Sequence, residues 1–384
     1  MKIQRRSVMS VLLLLCACFA LVSCDPLAPL YYDEEPIPNR YIVKIKDKHA
    51  RAFLKGEFKE QLTRSGFPNA IKRTSNVFGM AVVDMPDDQV DSVRSIDGVE
   101  YVEQDGRVYA DVVGSWGLDR IDQDDLPLDE KFNPQGDGTG VHVYVIDGGI
   151  HYTHEEFGGR AHFAYDIYDD GRAGLDCTGH GTHCAGTVGG KTYGVAKNVT
   201  LWSVRVLGCS GSGTKSGVME GMDWVAVHAK TPTVVSMSVG GSASTAQNMV
   251  VAKMHNAGVT VVVSAGNNDY SACRKSPASA EKAITVGSVT KTDARSYFSN
   301  YGTCVDIFGP GSSILSAGIK SDRDVATKSG TSMATPHVAG AAALELGRNP
   351  NLTPSEVKDN LIKKALRDRV ANPGPESPNL YLRI

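Results

Sequence analysis

The sequence predicts an α/β protein: a doubly wound, mostly parallel sheet with helices on both faces, preceded by a small α+β domain. Three observations carry this. From about residue 111 onward, apolar β-rich runs alternate with helical patterns. Those runs are apolar at nearly every position, as in a parallel sheet covered on both faces. Before them lies a separate group of short alternating strands and helices with its own apolar pattern. Composition agrees. Of 384 residues, 41% are hydrophobic and 22% charged, with 40 glycines, a soluble balance with ample core material. A formal charge of −3 gives no reason to expect nucleic acid as a partner.

Residues 1–24 read as an export signal. Lys2, Arg5 and Arg6 precede an apolar run, Val11 to Val22, that is too short for a relaxed membrane span. Leu21-Val22-Ser23-Cys24 resembles a bacterial lipobox, with Cys24 as the lipidated residue. The other reading is an ordinary secretory cut near Ser23 or Cys24. Either exports the chain, so a secreted, extracellular location is expected, with lipid anchoring at a bacterial membrane through Cys24 as the alternative. Residues 25–39 are Pro-rich and acidic and are expected to form a flexible linker.

Residues 40–110 form the small domain. Tyr41–Ile45, Met80–Met85 and Val99–Glu103 alternate like strands, while Ala50–Gly66 and Gln89–Ile96 have helical spacing. Residues 111–384 form the large domain. Its strand candidates are Val141–Ile146, Thr200–Val206, Thr233–Val239, Val259–Ser264, Ala283–Gly287 and Cys304–Phe308. Its helical candidates are His180–Gly190, Thr214–Ala229, Ala246–Ala257, Ser332–Leu346 and Pro354–Lys363. Lys363–Ile384 reads as a Pro-rich tail, too short for a further domain.

In such sheets, sites form at the carboxyl ends of strands. Asp147 directly follows one strand candidate, and Asn267 lies just past another. His180 and Ser332 each open a helix after a glycine. All four are therefore expected on one rim. A serine at a helix start puts its hydroxyl beside free backbone N–H groups, which stabilise developing negative charge.

Val145-Ile146-Asp147-Gly148-Gly149, Gly179-His180-Gly181-Thr182-His183 and Gly330-Thr331-Ser332-Met333-Ala334-Thr335-Pro336-His337 together resemble the subtilisin-like serine proteases, most closely the proteinase K and aqualysin branch. The order Asp, His, Ser is that of subtilisin. The resemblance implies Ser332 as nucleophile, His180 as general base, Asp147 as its orienting carboxylate and Asn267 as an oxyanion donor. His183 is a nearby decoy. The family has Thr or Ser after the catalytic Asp where this chain has Gly148, so looser positioning of Asp147 is expected.

The resemblance also implies substrate binding by strand addition between Gly211-Ser212-Gly213 and Ser238-Val239-Gly240, with Ala265 and Gly266 in the walls of the first specificity pocket. Nothing charged appears in these segments, so cleavage after apolar or aromatic residues is expected. Two structural calcium sites are implied. One is Asp306 with the carbonyls of Glu281 and Ala283. The other is Asp119, Asp122, Gln123 and Asp129, where Lys131 replaces a further oxygen ligand of relatives. The family pattern pairs Cys177 with Cys209 and Cys273 with Cys304, leaves Cys184 as a free thiol, and makes Ser276–Pro277 a cis bond. Residues 40–110 would be an inhibitory propeptide released by cleavage near 108–111. No catalytic cofactor and a monomer are expected. The leading expectation is an exported serine endopeptidase made as a zymogen. Its rival is a silent fold of this family acting as a binding protein, favoured by Gly148 alone. A peptide ligase on the same triad is a weaker one.

Overall fold

The computed structural model describes residues 27–32, 36–46, 54, 56–75, 79–106, 114–168 and 170–384. The export signal with Cys24 and the 108–111 cleavage region lie outside these residues. The chain divides into two compact units, Met1–Ala110 and Asp111–Ile384.

The first unit holds β1 (Leu30–Tyr31), β2 (Pro36–Ile45), helix α1 (Glu57–Arg64), β3 (Ile71–Ser75), β4 (Met80–Asp84), α2 (Val90–Arg94) and β5 (Val99–Gly106). The strands form one sheet in the order β1-β5-β2-β4-β3. Alternation along β2 and β4 turns Val43, Ile45, Ala81 and Val83 to one face, where they meet Phe58 and Leu62 of α1 and Val93 of α2. The expected linker is corrected here. Within residues 25–39, Leu30–Tyr31 pairs in parallel with β5, and β2 already begins at Pro36. Ala28 is buried, and its N–H donates to the Arg94 carbonyl at 3.0 Å. Pro36 and Pro38 are tolerated at the start of β2, before the register break between Pro36 and Tyr41 in its pairing with β5.

The second unit contains, in chain order, α3 (Trp116–Ile121), β6 (His142–Asp147), β7 (Ala161–Asp166), α4 (His180–Gly189), β8 (Thr200–Arg205), α5 (Lys215–His228), β9 (Thr233–Met237), β10 (Gly241–Ser242), α6 (Thr245–Asn256), β11 (Val259–Ser264), β12 (Lys275–Ser276), β13 (Ile284–Val289), β14 (Ile307–Pro310), β15 (Ile314–Ala317), β16 (Val325–Lys328), α7 (Thr331–Arg348), α8 (Pro354–Lys364), β17 (Leu366–Arg367) and β18 (Leu380–Tyr381). Nine strands form the main sheet, in the order β17-β18-β14-β13-β11-β9-β6-β8-β7. Every pair is parallel except β17 with β18.

Successive residues serve opposite faces. Val143 and Val145 of β6 pack with α4 and α7, whereas Tyr144 and Ile146 pack with α5 and α6. Both faces are covered, which is why the strands read as unbroken apolar runs. Two expectations shift. The strand expected from Cys304 begins at Ile307, because Cys304 is tied to Cys273. The tail joins the sheet through Leu380–Tyr381, and Tyr381 is fully buried under the Arg120 guanidinium, 4.5 Å from its ring centroid.

Strand order reverses at β6: the chain next adds β7 and β8 on one side, then β9 onward on the other. Such a switch point leaves a crevice at the carboxyl ends of the strands.

Candidate active site

Asp147 ends β6 with no exposed surface. Its Oδ1 accepts the Gly148 N–H at 2.7 Å and lies 2.8 Å from His180 Nδ1, and its Oδ2 lies 2.9 Å from the same nitrogen. Nδ1 therefore carries a proton toward the carboxylate, and Nε2 is left to act as base. The Asp147 charge raises the His180 pKa above its ordinary value against the effect of burial. Gly148 is not in the left-handed region, and a Cβ there would lie 3.3 Å from Thr178 Oγ1. With Gly148 in place, both Asp147 carboxylate oxygens still reach His180 Nδ1.

The helix carrying His180 is held by a residue that sequence reasoning missed. Asp176 Oδ1 accepts the N–H groups of Thr178 (2.8 Å) and Gly179 (3.0 Å), and its Oδ2 accepts the N–H (2.9 Å) and hydroxyl (2.8 Å) of Thr182. An acidic residue just ahead of a helix start was the available signal. Gly181 lets this helix approach β6, since a Cβ there would sit 2.2 Å from the Gly149 carbonyl oxygen. His183 is a buried core residue. Its Nε2 donates to the Ile314 and Ala326 carbonyls, and burial lowers its pKa to about 4, so it stays neutral.

Ser332 sits in the first turn of α7. Its hydroxyl donates to the Ser238 carbonyl at 3.2 Å, and its own carbonyl accepts the Ser238 hydroxyl at 2.8 Å. Asn267 is fixed by Thr331, a second missed residue. Asn267 Oδ1 accepts both the N–H (2.8 Å) and the hydroxyl (2.9 Å) of Thr331. With Oδ1 so engaged, the Asn267 amide nitrogen is the group left to donate.

His180, Asn267 and Ser332 line one cleft of about 630 Å³ together with Gly211–Gly213, Ser238–Gly240 and Gly266. Gly266 has φ +100°, and a Cβ there would meet Asn300 Nδ2 at 2.5 Å. Ala265 is corrected: it is fully buried in the core, its carbonyl accepting Asn300 Nδ2 at 2.8 Å, and it is not among the cleft-lining residues. The expected segments carry no charge, but other parts of the chain bring charge to the cleft. Lys215 at the start of α5, Lys275 of β12 and Lys328 of β16 line it.

The structure pairs Cys177 with Cys209 and Cys273 with Cys304. Cys184 is free and buried, and burial drives its thiol pKa far up. Its sulfur, with Asp147 and His180, makes the one group of three His, Cys, Asp or Glu ligand atoms within 4.8 Å of one another among the described residues. Ser276–Pro277 is cis, as are Leu126–Pro127 and Thr231–Pro232.

The two calcium sites fare differently. Asp306 Oδ1 and the Ala283 carbonyl, expected around calcium, face the Lys358 ammonium at 2.8 and 2.9 Å. The Glu281 side chain points outward beside Lys282. This donor set does not fit a divalent ion. The loop 119–133 keeps a single unengaged buried oxygen. Asp122 Oδ1 is buried without a partner. Burial and the neighbouring carboxylates raise both Asp119 and Asp122. Backbone N–H groups of Asp129 and Glu130 satisfy Asp119, and Gln123 Oε1 accepts the Asp129 N–H. Lys131 pairs at the surface with Asp129 at 3.7 Å.

An imidazole with a buried carboxylate behind it and a helix-opening hydroxyl across the same cleft defines a serine hydrolase of the Asp-His-Ser class. A family model described as the Subtilase family matches residues 138–380. The chain belongs to that family of serine endopeptidases. It is 48% identical over 377 residues to the extracellular serine proteinase of Thermus sp. (strain Rt41A), covering 92% of each chain. It is 45% identical over 361 residues to alkaline serine exoprotease A of Vibrio alginolyticus, covering 88% of this chain and 66% of that protein. The crystal structure of a cold adapted subtilisin-like serine proteinase matches it with a TM-score of 0.69 at 50% identity, covering 71% of this chain and 98% of that one.

Proposed function

We propose that the chain is an extracellular serine endopeptidase, made as a zymogen, that cleaves peptide bonds through an acyl-enzyme. One observation carries the reading: His180 is held through Nδ1 by buried Asp147 at 2.8 Å while its ring opens on the cleft that Ser332 and Asn267 share. Substrate lies extended between Gly211–Gly213 and Ser238–Gly240, bonded mainly through its backbone. Ser332 exchanges its hydrogen bond to Ser238 for one to His180 Nε2, gives up that proton and attacks the carbonyl carbon. Asp147 stabilises the imidazolium. The amide nitrogen of Asn267 and the Ser332 N–H, one of the unpaired donors of a helix start, hold the oxyanion. His180 then protonates the leaving amine, and water releases the acyl group by the same steps in reverse roles.

The Gly266 wall favours an apolar or aromatic side chain before the cut bond. The cleft lysines favour acidic residues further along the substrate. Residues 40–110 act as the inhibitory propeptide, and residues 1–24 direct export; the names of the Thermus and Vibrio relatives support an extracellular site of action. Asp119, Asp122, Gln123 and Asp129 would hold a structural calcium ion, which would draw the carboxylates together and neutralise their repulsion.

A fluorophosphonate probe with intact-mass readout tests the reading. One adduct on the secreted product, absent from Ser332→Ala, is expected. The same masses report the propeptide cut and any lipid on Cys24. A product that takes no adduct while folded, or one that still begins at Met1, sinks it.

A further inference from the structure

Asp306 lies just ahead of β14 and ties that strand to β13. Its N–H donates to the Thr285 carbonyl at 2.9 Å, and its Oδ2 accepts the Thr285 N–H at 2.8 Å. That leaves Oδ1, which faces Lys358 Nζ at 2.8 Å. The same ammonium donates to the Ala283 carbonyl, at the start of β13, at 2.9 Å. Lys358 comes from α8, so one nitrogen joins a helix to two adjacent strands. Both side chains are about three quarters withdrawn from solvent, with 27% and 25% exposure.

We propose that Lys358 is a tethered cation that takes the place of a divalent ion, so that the junction of α8, β13 and β14 is held without calcium. Charge favours it. The corner offers one carboxylate, with neutral carbonyls around it, because the Glu281 side chain is 91% exposed and lies beside Lys282 at 3.8 Å. One ammonium neutralises one carboxylate, whereas a divalent ion would leave a net positive charge. Coordination favours it too. Calcium takes six to eight oxygens at about 2.3–2.6 Å, while an ammonium makes directional bonds at the distances seen here. The two cations need the same oxygens and repel each other, so they exclude one another. A lysine on the chain is also present at fixed stoichiometry, whatever the free calcium. The corner is therefore insensitive to chelators.

The test uses the full chain carrying Ser332→Ala, which removes self-digestion. Bound calcium is counted by equilibrium dialysis, and Tm is measured by calorimetry in calcium and in EGTA. Asp306→Asn and Lys358→Gln are added singly and together. The loop 119–133 is unchanged throughout, so its calcium cancels from the comparison. Asp306→Asn is expected to bind as much calcium as the parent and to lose roughly 3–8 °C of Tm in both media. Lys358→Gln is expected to lose a similar amount in EGTA, and the double variant no more than the larger single loss. A parent that binds one calcium more than Asp306→Asn overturns the proposal, as do losses that simply add. If Asp306→Asn does not fold, Lys358→Gln decides. A lower Tm in EGTA with calcium binding equal to the parent's or one ion higher supports the clamp, and an unchanged Tm in EGTA overturns it.

Discussion

Two carboxylates in this molecule face a nitrogen at the same distance and do opposite work. Asp147 meets His180 Nδ1 at 2.8 Å, and Asp306 meets Lys358 Nζ at 2.8 Å. The two basic side chains are also similarly exposed, at 30% and 27%. What separates the pairs is proton affinity. An imidazole ordinarily titrates near pH 6.5 and an ammonium near 10.4. Asp147 therefore holds a cation that comes and goes within a turnover, while Asp306 holds one that stays. On the functions proposed above, the same geometry would serve a catalytic base in one place and a structural bond in the other.

The comparison predicts that damage at the first pair appears in rate and damage at the second in stability. Asp147→Asn should have the largest effect, a loss of about 10⁴ in kcat, because the imidazole loses both its tautomer and its charge partner. Its pH profile gives a second check. His180 must be neutral to accept a proton, so activity falls as pH drops through its raised pKa. Removing the Asp147 charge lowers that pKa, so the acid limb should move to lower pH. An unmoved limb would mean that Asp147 does not set the base.

Asn267→Ala should cost about 10²–10³ in kcat with little change in KM, a magnitude taken from the corresponding donor of subtilisin. An effect confined to KM would reassign Asn267 to ground-state binding.

The acidic loop sharpens the contrast from the other side, because Asp119 and Asp122 repel each other and neither is ion-paired, the loop's cations meeting Asp124, Asp125 and Asp129 instead. Calcium at a hundredfold its Kd should raise Tm by roughly 5–10 °C, and Asp122→Asn should abolish that increment. A calcium increment that survives Asp122→Asn places the ion elsewhere. The smallest effect expected is at Lys328, whose charge lowers the His180 pKa. Lys328→Met should move the acid limb of kcat/KM upward by a few tenths of a pH unit, on the order of an exposed charge pair. It should also reduce cleavage of substrates with acidic residues near the cut bond. Profiles identical to wild type would remove Lys328 from the site's electrostatics.

Motifs and periodicity made much of this protein legible. Mainly apolar, β-branched runs such as Val259–Ser264 and Ile284–Val289 announce central strands because both faces are covered, and the few polar residues within them are small. Asp147, His180 and Ser332 stand out because each sits on a glycine-bounded turn at an element's end, where short-range spacing alone places a side chain. Thr331 was hidden inside its own motif. It reads as a helix-opening residue, and only the fold brings it to Asn267. Asp176 drew no reading at all, because its partners Thr178, Gly179 and Thr182 are defined only once the turn before the helix forms, and Leu380–Tyr381 read as the end of a tail.

By itself, then, the sequence determined which residues could do acyl-transfer chemistry, which strands fill the centre of the sheet and where the backbone must turn. Those properties depend on neighbours a few positions away. Tertiary structure alone decided that Lys358 would reach Ala283, 75 positions earlier, that Ala265 would turn to the core and that three lysines would meet at the cleft. The physical reason is that charge pairing and burial are set by which surfaces pack together, and no local pattern records the partner that packing will supply.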